Sequence, residues 1–413
     1  MTRRARRWLF HLVRVAICVA ALWFVARGVT WHDRVELTDG RELIGLASWR
    51  NGDDHVVLGN GGEPRSVPIA DVARTDAGEP KITQGLLSTW NGASKTLLLL
   101  AVLIHAPIVL MQAVRFRWLI GAQGIDLGFV ECLKMALAGN FLNFAAPLGS
   151  NAGDVFKAYF ASLHTPDRKT EAVATVILDR VIGLGSLVLV VAGITCMGPD
   201  TGRLGALRPY MLTMAALGGA GVAVYLSPWT RRLFEGAWLA RRPGLRHVRR
   251  LDLAARTLAS RRGVVLSAVG ITVALQVVAM LAYFTVAAAM GLRAGADNML
   301  ELFAYFYTGT VVQALPGPPQ GLGTVELAYR YFFSAFGSPS QIVSMALAIR
   351  VVVLVCALPG LLVTLTGAYR PRDIERWERD YENEDLIDQG NGGSTAARKS
   401  DVTRNPSPSV RAS

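Results

Sequence analysis

Apolar positions in this chain fall in long blocks rather than in narrow stripes. Six windows, about 8–26, 95–114, 171–197, 209–227, 263–290 and 341–367, read as full membrane spans. Each is near or above the roughly 18–20 residues that cross a hydrocarbon core of about 30 Å as a helix. Two further apolar segments, 129–163 and 299–337, are each interrupted by a Pro/Gly-rich break. The first break reads "AAPLGSNAGDVFKAYF" (145–160), with a short polar gap after it over 163–170. The second reads "GTVVQALPGPPQGLGTVELAYRYFF" (309–333). Residues 30–94 have another period. "RVELTDGRELIGLASW", "DDHVVLGNGG" and "RSVPIADV" alternate apolar and polar positions, and Asp39-Gly40 and Asn51-Gly52 are hairpin signals. This predicts a small module of four or five short strands. Beyond Tyr369 the chain is charged, then rich in Gly, Ser, Asn and Pro. It cannot bury much apolar surface, and disorder is expected after about Gln389. "DIERWERDYENEDLID" reads as a solvated surface helix before that.

Composition agrees with the blocks: 52% of the 413 residues are hydrophobic, as in polytopic membrane proteins. The formal charge of +12 does not indicate nucleic acid, because the arginines flank apolar windows as cytoplasmic loops do. Arg3, Arg4, Arg6 and Arg7 precede the first window, and residues 228–262 hold ten arginines against Glu235 and Asp252. Arg115 and Arg117 close the second window, and Arg168 and Lys169 precede the third. All of these reach the cytoplasm only if both interrupted segments enter and leave on one side, as re-entrant hairpins. Six crossings then place both termini in the cytoplasm, in the inner membrane, with 30–94 outside. That segment holds ten acids against six Lys or Arg, opposite in sign to the inner loops. The N-terminus has a basic head and a long apolar stretch without a convincing small-x-small cleavage site, so it reads as an uncleaved anchor rather than a signal peptide. His11 and Arg14 in it can snorkel to the headgroups. The four cysteines form no CxxC and read as small core residues.

The expected fold is therefore all-α and polytopic, with about six spans, two re-entrant hairpins and a β-rich insertion. Its parts are an anchor helix at 1–29, the insertion at 30–94, a transmembrane domain at 95–368 and a tail at 369–413. The breaks repeat: Gly139 and Gly309, Gly153 and Gly323, and Arg180 and Arg350 are each 170 apart, and Pro147 and Pro316 are 169 apart. Three crossings lie between the hairpins, which makes an inverted repeat of the transporter kind. A broken backbone survives in hydrocarbon only against protein or a water-filled cavity. Pro147 ends the incoming helix, and Gly149 and Gly153 allow close approach. Asn151 is a candidate N-cap with Asp154 at capping-box spacing, and Glu326 sits in the first turn after Gly321 and Gly323. Glu326 and Arg330 have ion-pair spacing. The returning half-helices would aim free N–H groups at the midplane, which suits a phosphate. Arg180 and Arg350 lie about nine residues into their spans, where an unpaired guanidinium costs between about 2.5 and 17 kcal/mol. Asp179, adjacent to Arg180, points about 100° away from it. Two readings follow. One is a phosphate site on the arginines. The other is an interior ion-pair network, Asp154–Arg180 and Glu326–Arg350, that only holds the fold together.

These residues resemble the flippase-like membrane family that includes the transmembrane region of lysylphosphatidylglycerol synthases. The first family motif, Pro-x-Gly-x-Gly-acid-x-x-Arg, has its counterpart in Pro147, Gly149, Gly153, Asp154 and Lys157, followed by Asp179-Arg180. The second matches Pro319-Gln320-Gly321-Leu322-Gly323 with Glu326, then Arg350. The resemblance runs from about 95 to 367. Lys157 stands where arginine is usual, which keeps charge but loses the planar fork. Gln320 replaces a glycine, and the insertion at 30–94 is unusual for the family. Only a short tail follows the last span, so the resemblance implies lipid translocation without lysyl transfer. The leading expectation is a flippase for a phospholipid or polyprenyl-phosphate-linked lipid, with the anionic headgroup phosphate between the hairpins, contacted by Arg180 and Arg350, and Lys157 among the other substrate-binding residues. Asp154 and Glu326 would orient the arginines or carry protons. No GxxxxGK[ST] is present, and no cofactor or metal is expected. A second reading is a membrane enzyme acting on a lipid phosphate, against which stand the lack of HExxH, of a Cys/His ligand set and of a nucleophile elbow, and six scattered histidines. A third is an accessory of a cell-envelope synthase, docking an envelope partner through 30–94. A homo-oligomer is compatible with each.

Overall fold

The computed structural model describes residues 31–48, 55–59, 65–74, 82–83, 85–145, 152–165, 168–198, 202–227, 230, 246–314 and 321–366. The predicted anchor at 8–26, Asn51-Gly52, Pro147, Gly149, Asn151, Pro316, Pro319, Gln320 and the tail beyond 366 lie outside the described residues. The chain separates into a large unit, Met1–Val363, and a C-terminal one, Thr364–Ser413, of which 364–366 are described.

The alternating segment forms a five-stranded antiparallel sheet of order β4-β3-β2-β1-β5. Its strands are β1 (Asp33–Glu36), β2 (Glu42–Ser48), β3 (His55–Gly59), β4 (Arg65–Pro68) and β5 (Ile82–Thr83). Register places Val35 opposite Leu43 and Val56 opposite Val67. Val35, Val56, Leu58, Val67 and Val72 form its core. Gly40, at φ 80°, lets the β1–β2 turn close. Beside it the Arg41 guanidinium hydrogen-bonds Asp39 and holds that carboxyl below its usual range. Asp33 is buried and accepts from the N–H groups of Ala47 at 2.7 Å and Gly85 at 2.5 Å, and from the Ser88 hydroxyl. These bonds join the sheet to a short helix, α1 (Leu86–Gly92).

The rest is helical: α2 (Lys95–His105), α3 (Ile108–Ala122), α4 (Phe129–Ala145), α5 (Ala152–Leu163), α6 (Lys169–Met197), α7 (Gly202–Leu226), α8 (Arg246–Ser260), α9 (Arg262–Ala289), α10 (Met299–Ala314), α11 (Thr324–Phe332), α12 (Pro339–Ala357) and α13 (Pro359–Leu365). Among the described residues, four stretches are long and apolar enough to cross a membrane: 95–122 (α2 with α3), α6, α9 and α12. Leu99, Leu103, Leu189 and Leu266 on them are largely exposed, the surface a lipid-facing bundle presents. α7 covers the predicted 209–227 span and carries Pro209 inside it.

Two predicted boundaries are corrected. The second span does not stop before Arg115; α3 runs on to Ala122 and turns Arg115 inward. The predicted span 341–367 breaks at Leu358, and Pro359 opens α13. There a Cβ on Gly360 would collide with the Leu137 carbonyl of α4, so the glycine lets α13 touch α4.

Both interrupted segments reverse direction. Gly139 of α4 faces Gly153 and Lys157 of α5, while Glu131 at the start of α4 lies 3.8 Å from His164 just past the end of α5. Rising numbers on one helix meet falling numbers on the other. In the second segment Gly309 of α10 faces Tyr329 of α11, Gln313 faces Gly321, and Tyr305 stacks on Phe332 with centroids 5.2 Å apart. With 12 and 9 residues, α5 and α11 rise only about 18 and 14 Å, too short for a core of about 30 Å. α6 packs on α5, α7, α9 and α10, and α12 packs on α2, α4 and α11, so each hairpin is held by the span that follows it.

Candidate functional site

Helices α2, α3, α4, α5, α6, α9, α10 and α12 line a cavity of about 320 Å³. One end is ionic. Asp154 enters from the first turn of α5 and meets Arg180 of α6 at 3.3 Å. Asp179, one residue earlier on α6, turns instead to Arg115 of α3. The guanidinium lies 2.7 Å from Oδ1 and donates to Oδ2 at 3.0 Å. Arg115 also donates to the Thr272 hydroxyl of α9 at 3.0 Å. Adjacent residues 100° apart on one helix thus serve two neighbouring helices. Both members of the Arg115–Asp179 pair are buried. Lys157, one turn beyond Asp154, lines the same cavity, and among the described residues no hydrogen bond or ion pair engages its ammonium. The lining cations Arg115, Lys157 and Arg180 face the acids Asp154 and Asp179, and three minus two leaves a formal +1.

Gly139 and Gly153 explain how α5 reaches this position. A Cβ on Gly153 would strike the Gly139 carbonyl, and one on Gly139 would strike the Lys157 side chain. Two glycines therefore let the backbones touch and set Lys157 across α4 into the cavity. The N–H of Gly153 donates to Asn143 Oδ1 at 2.8 Å.

Arg350 occupies a smaller neighbouring chamber of about 110 Å³. The two chambers share Phe144, Tyr283, Thr310, Gln313 and Val353. Glu326, buried in the first turn of α11, accepts from Arg350 Nε at 2.8 Å and from the Gly323 N–H at 2.7 Å. Gly321 at φ 62° and Gly323 at φ 83° make the turn into α11, a backbone region that side chains disfavour. Arg350 also borders an apolar hollow of about 440 Å³ with Trp90, Leu347 and Leu354.

Of the residues singled out in the sequence, Asp154, Lys157, Asp179 and Arg180 line the main cavity, while Arg350 with Glu326, Gly321 and Gly323 belongs to the adjoining one. At each half-helix start one N–H has a partner within the chain: Asn143 takes that of Gly153, and the Glu326 carboxylate takes that of Gly323. Both ion pairs of the network reading form. Sequence reasoning missed Arg115, read as a loop residue, and the polar groups His105, Gln276 and Tyr307 on the cavity wall. An arginine seven residues before the end of an apolar helix was the available signal for Arg115. For His105 and Tyr307 the sequence holds none.

Against known families, residues 83–360 match the model described as lysylphosphatidylglycerol synthase TM region. No curated protein matches the chain.

Proposed function

Since the chain belongs to the family of lysylphosphatidylglycerol synthase transmembrane regions, and is a multi-pass membrane protein, we propose that it moves an anionic lipid between leaflets. The headgroup phosphate sits in the cavity between α3, α5, α6 and α9. One observation carries this reading: Lys157 faces the cavity with no counter-ion among the described residues, beside two ion pairs that are complete. A half-buried ammonium is costly without a partner, and a charge-assisted contact with phosphate oxygen offsets that cost. The net +1 of the lining matches a phosphodiester. The acids serve to hold Arg115 and Arg180 in place at the cavity wall, leaving Lys157 for the ligand.

The two helix–break–helix–span units, α4 to α6 and α10 to α12, act as inverted repeats in the inner membrane, with both termini cytoplasmic. Each hairpin then opens to a different leaflet. The chain runs no nucleotide-driven step, for want of a phosphate-binding loop, so a gradient or the lipid imbalance itself drives movement.

The test is reconstitution in liposomes with a labelled phospholipid. Lys157→Ala and Arg180→Ala are each expected to slow movement at least tenfold, the loss of about one charged hydrogen bond. Wild-type rates in both variants would show that the phosphate does not bind here.

A further inference from the structure

The cavity is graded in polarity along its length. Thr272, Gln276, Met280 and Tyr283 follow one face of α9, and Asp179, Gly183 and Leu187 follow the facing side of α6. Arg115 binds Thr272 at the ionic end. One turn on, Gln276 donates to the Gly183 carbonyl at 3.3 Å. A further two turns on, His105 of α2 stacks on Tyr283 at 6.0 Å between centroids, and Tyr307 of α10 joins the wall. From Thr272 to Tyr283 the helix rises about 16 Å.

The uncharged end is polar but unsatisfied. His105 is 8% exposed, Gln276 8% and Tyr307 0%. Among the described residues, His105 Nδ1, Gln276 Oε1 and the Tyr307 hydroxyl have no hydrogen-bond partner. Buried polar atoms without partners are rare and costly, and three on one cavity wall mark a place that something polar fills. A neutral histidine and a tyrosine each give or take a proton, and the Gln276 oxygen only accepts. Hydroxyl groups, which also do both, satisfy all three. An ammonium finds acceptors there but no counter-ion: the only acids on the described lining, Asp154 and Asp179, are engaged by Arg180 and Arg115 at the other end.

We infer that His105, Gln276 and Tyr307 form a subsite for the uncharged, hydroxyl-rich part of a lipid headgroup, a polyol or sugar, and that the site disfavours amine-bearing headgroups. This rests on the phosphate reading of the ionic end. The lipid's phosphate lies by Lys157 and Arg180, and its hydroxyls extend toward Tyr283.

The test is binding, which needs no transport. The detergent-solubilised full chain is titrated with four dihexanoyl lipids: phosphatidylmethanol, phosphatidylglycerol, phosphatidylinositol and phosphatidylethanolamine. The first three share one phosphodiester charge and differ in hydroxyls. Phosphatidylglycerol or phosphatidylinositol is expected to bind about tenfold more tightly than phosphatidylmethanol, the effect of one or two buried hydrogen bonds. Which of the two binds tighter separates a short polyol from a sugar-like ring. Phosphatidylethanolamine is expected to bind no better than phosphatidylmethanol. Tyr307→Phe, which removes one oxygen and keeps the ring, should bring the hydroxyl preference down at least threefold, as should Gln276→Leu. Arg180→Ala should weaken the three anionic lipids alike and leave their ratios standing. Equal affinity for phosphatidylmethanol and the hydroxylated lipids, tightest binding of the amine, or a preference untouched in Tyr307→Phe overturns the subsite. If instead hydroxylated lipids bind selectively and Arg180→Ala changes none of the affinities, the subsite stands and the phosphate assignment fails.

Discussion

Arg115 and Asp179 show what a single residue must satisfy inside this bundle. Their side chains are 11% and 7% exposed, so neither charge can be left alone. Asp179→Ala strands the guanidinium and is expected to cost about 3–5 kcal/mol, the penalty for breaking a buried pair from one side. Thermal unfolding in detergent reads this as a lower midpoint. The double variant Arg115→Met/Asp179→Leu should recover most of the loss, because two apolar side chains leave no charge behind. Glu326 carries two duties at once, as acceptor for the Gly323 N–H and as counter-ion of Arg350. Glu326→Gln keeps an acceptor and loses the charge, so its unfolding midpoint should fall between those of wild type and Glu326→Ala. Equal midpoints for the two variants would argue that only one of these duties matters. At this scale the sequence exposed Asp154, Arg180, Glu326 and Arg350, because charges in apolar runs stand out. It hid Arg115, whose position near a helix end looked like a loop.

At the scale of elements, the hairpins depend on contact between backbones. In lipid there is little hydrophobic gain from pressing helices together, so small residues and van der Waals contact decide packing. Gly139 against Gly153 is such a contact. Gly153→Val should displace α5, lower the unfolding midpoint by the equivalent of about 1–3 kcal/mol, and disturb Lys157 with it. Gly309 leaves room for the Tyr329 ring, itself packed against Phe306 and Phe333. Gly309→Ala therefore opens the α10–α11 contact. Gly323→Ala is strained for another reason, its φ of 83°, and should cost about 1–3 kcal/mol. The breaks themselves were legible: proline has no N–H to donate, and glycines clustered with it inside an apolar run weaken the helix. The break at Pro359 was overlooked, although Pro359-Gly360 is of the same kind, because the apolar run continues through it.

For the whole molecule the central question is how the two hairpins sit in the bilayer. In a background with the native cysteines replaced by serine, single cysteines at Gly128 and Thr165 flank the first hairpin. Cysteines at Gly295 and Ser338 flank the second. An impermeant thiol reagent on sealed vesicles should label the members of each pair from one side, and the two pairs from opposite sides. A pair labelled from both sides shows that its segment crosses the membrane, which removes the inverted repeat. Membrane embedding, the two breaks and the strand-forming insertion were all determined by the sequence itself. Hydropathy, helix interruption and alternation are properties of neighbouring residues, and no distant contact can reverse them. The partner of each charge was decided only by the tertiary structure. Asp179 turns to an arginine 64 positions away rather than to its neighbour, and His105, Gln276 and Tyr307 converge from three helices. Such meetings depend on how each helix is rotated about its axis, and that rotation is set by packing among helices far apart in the chain.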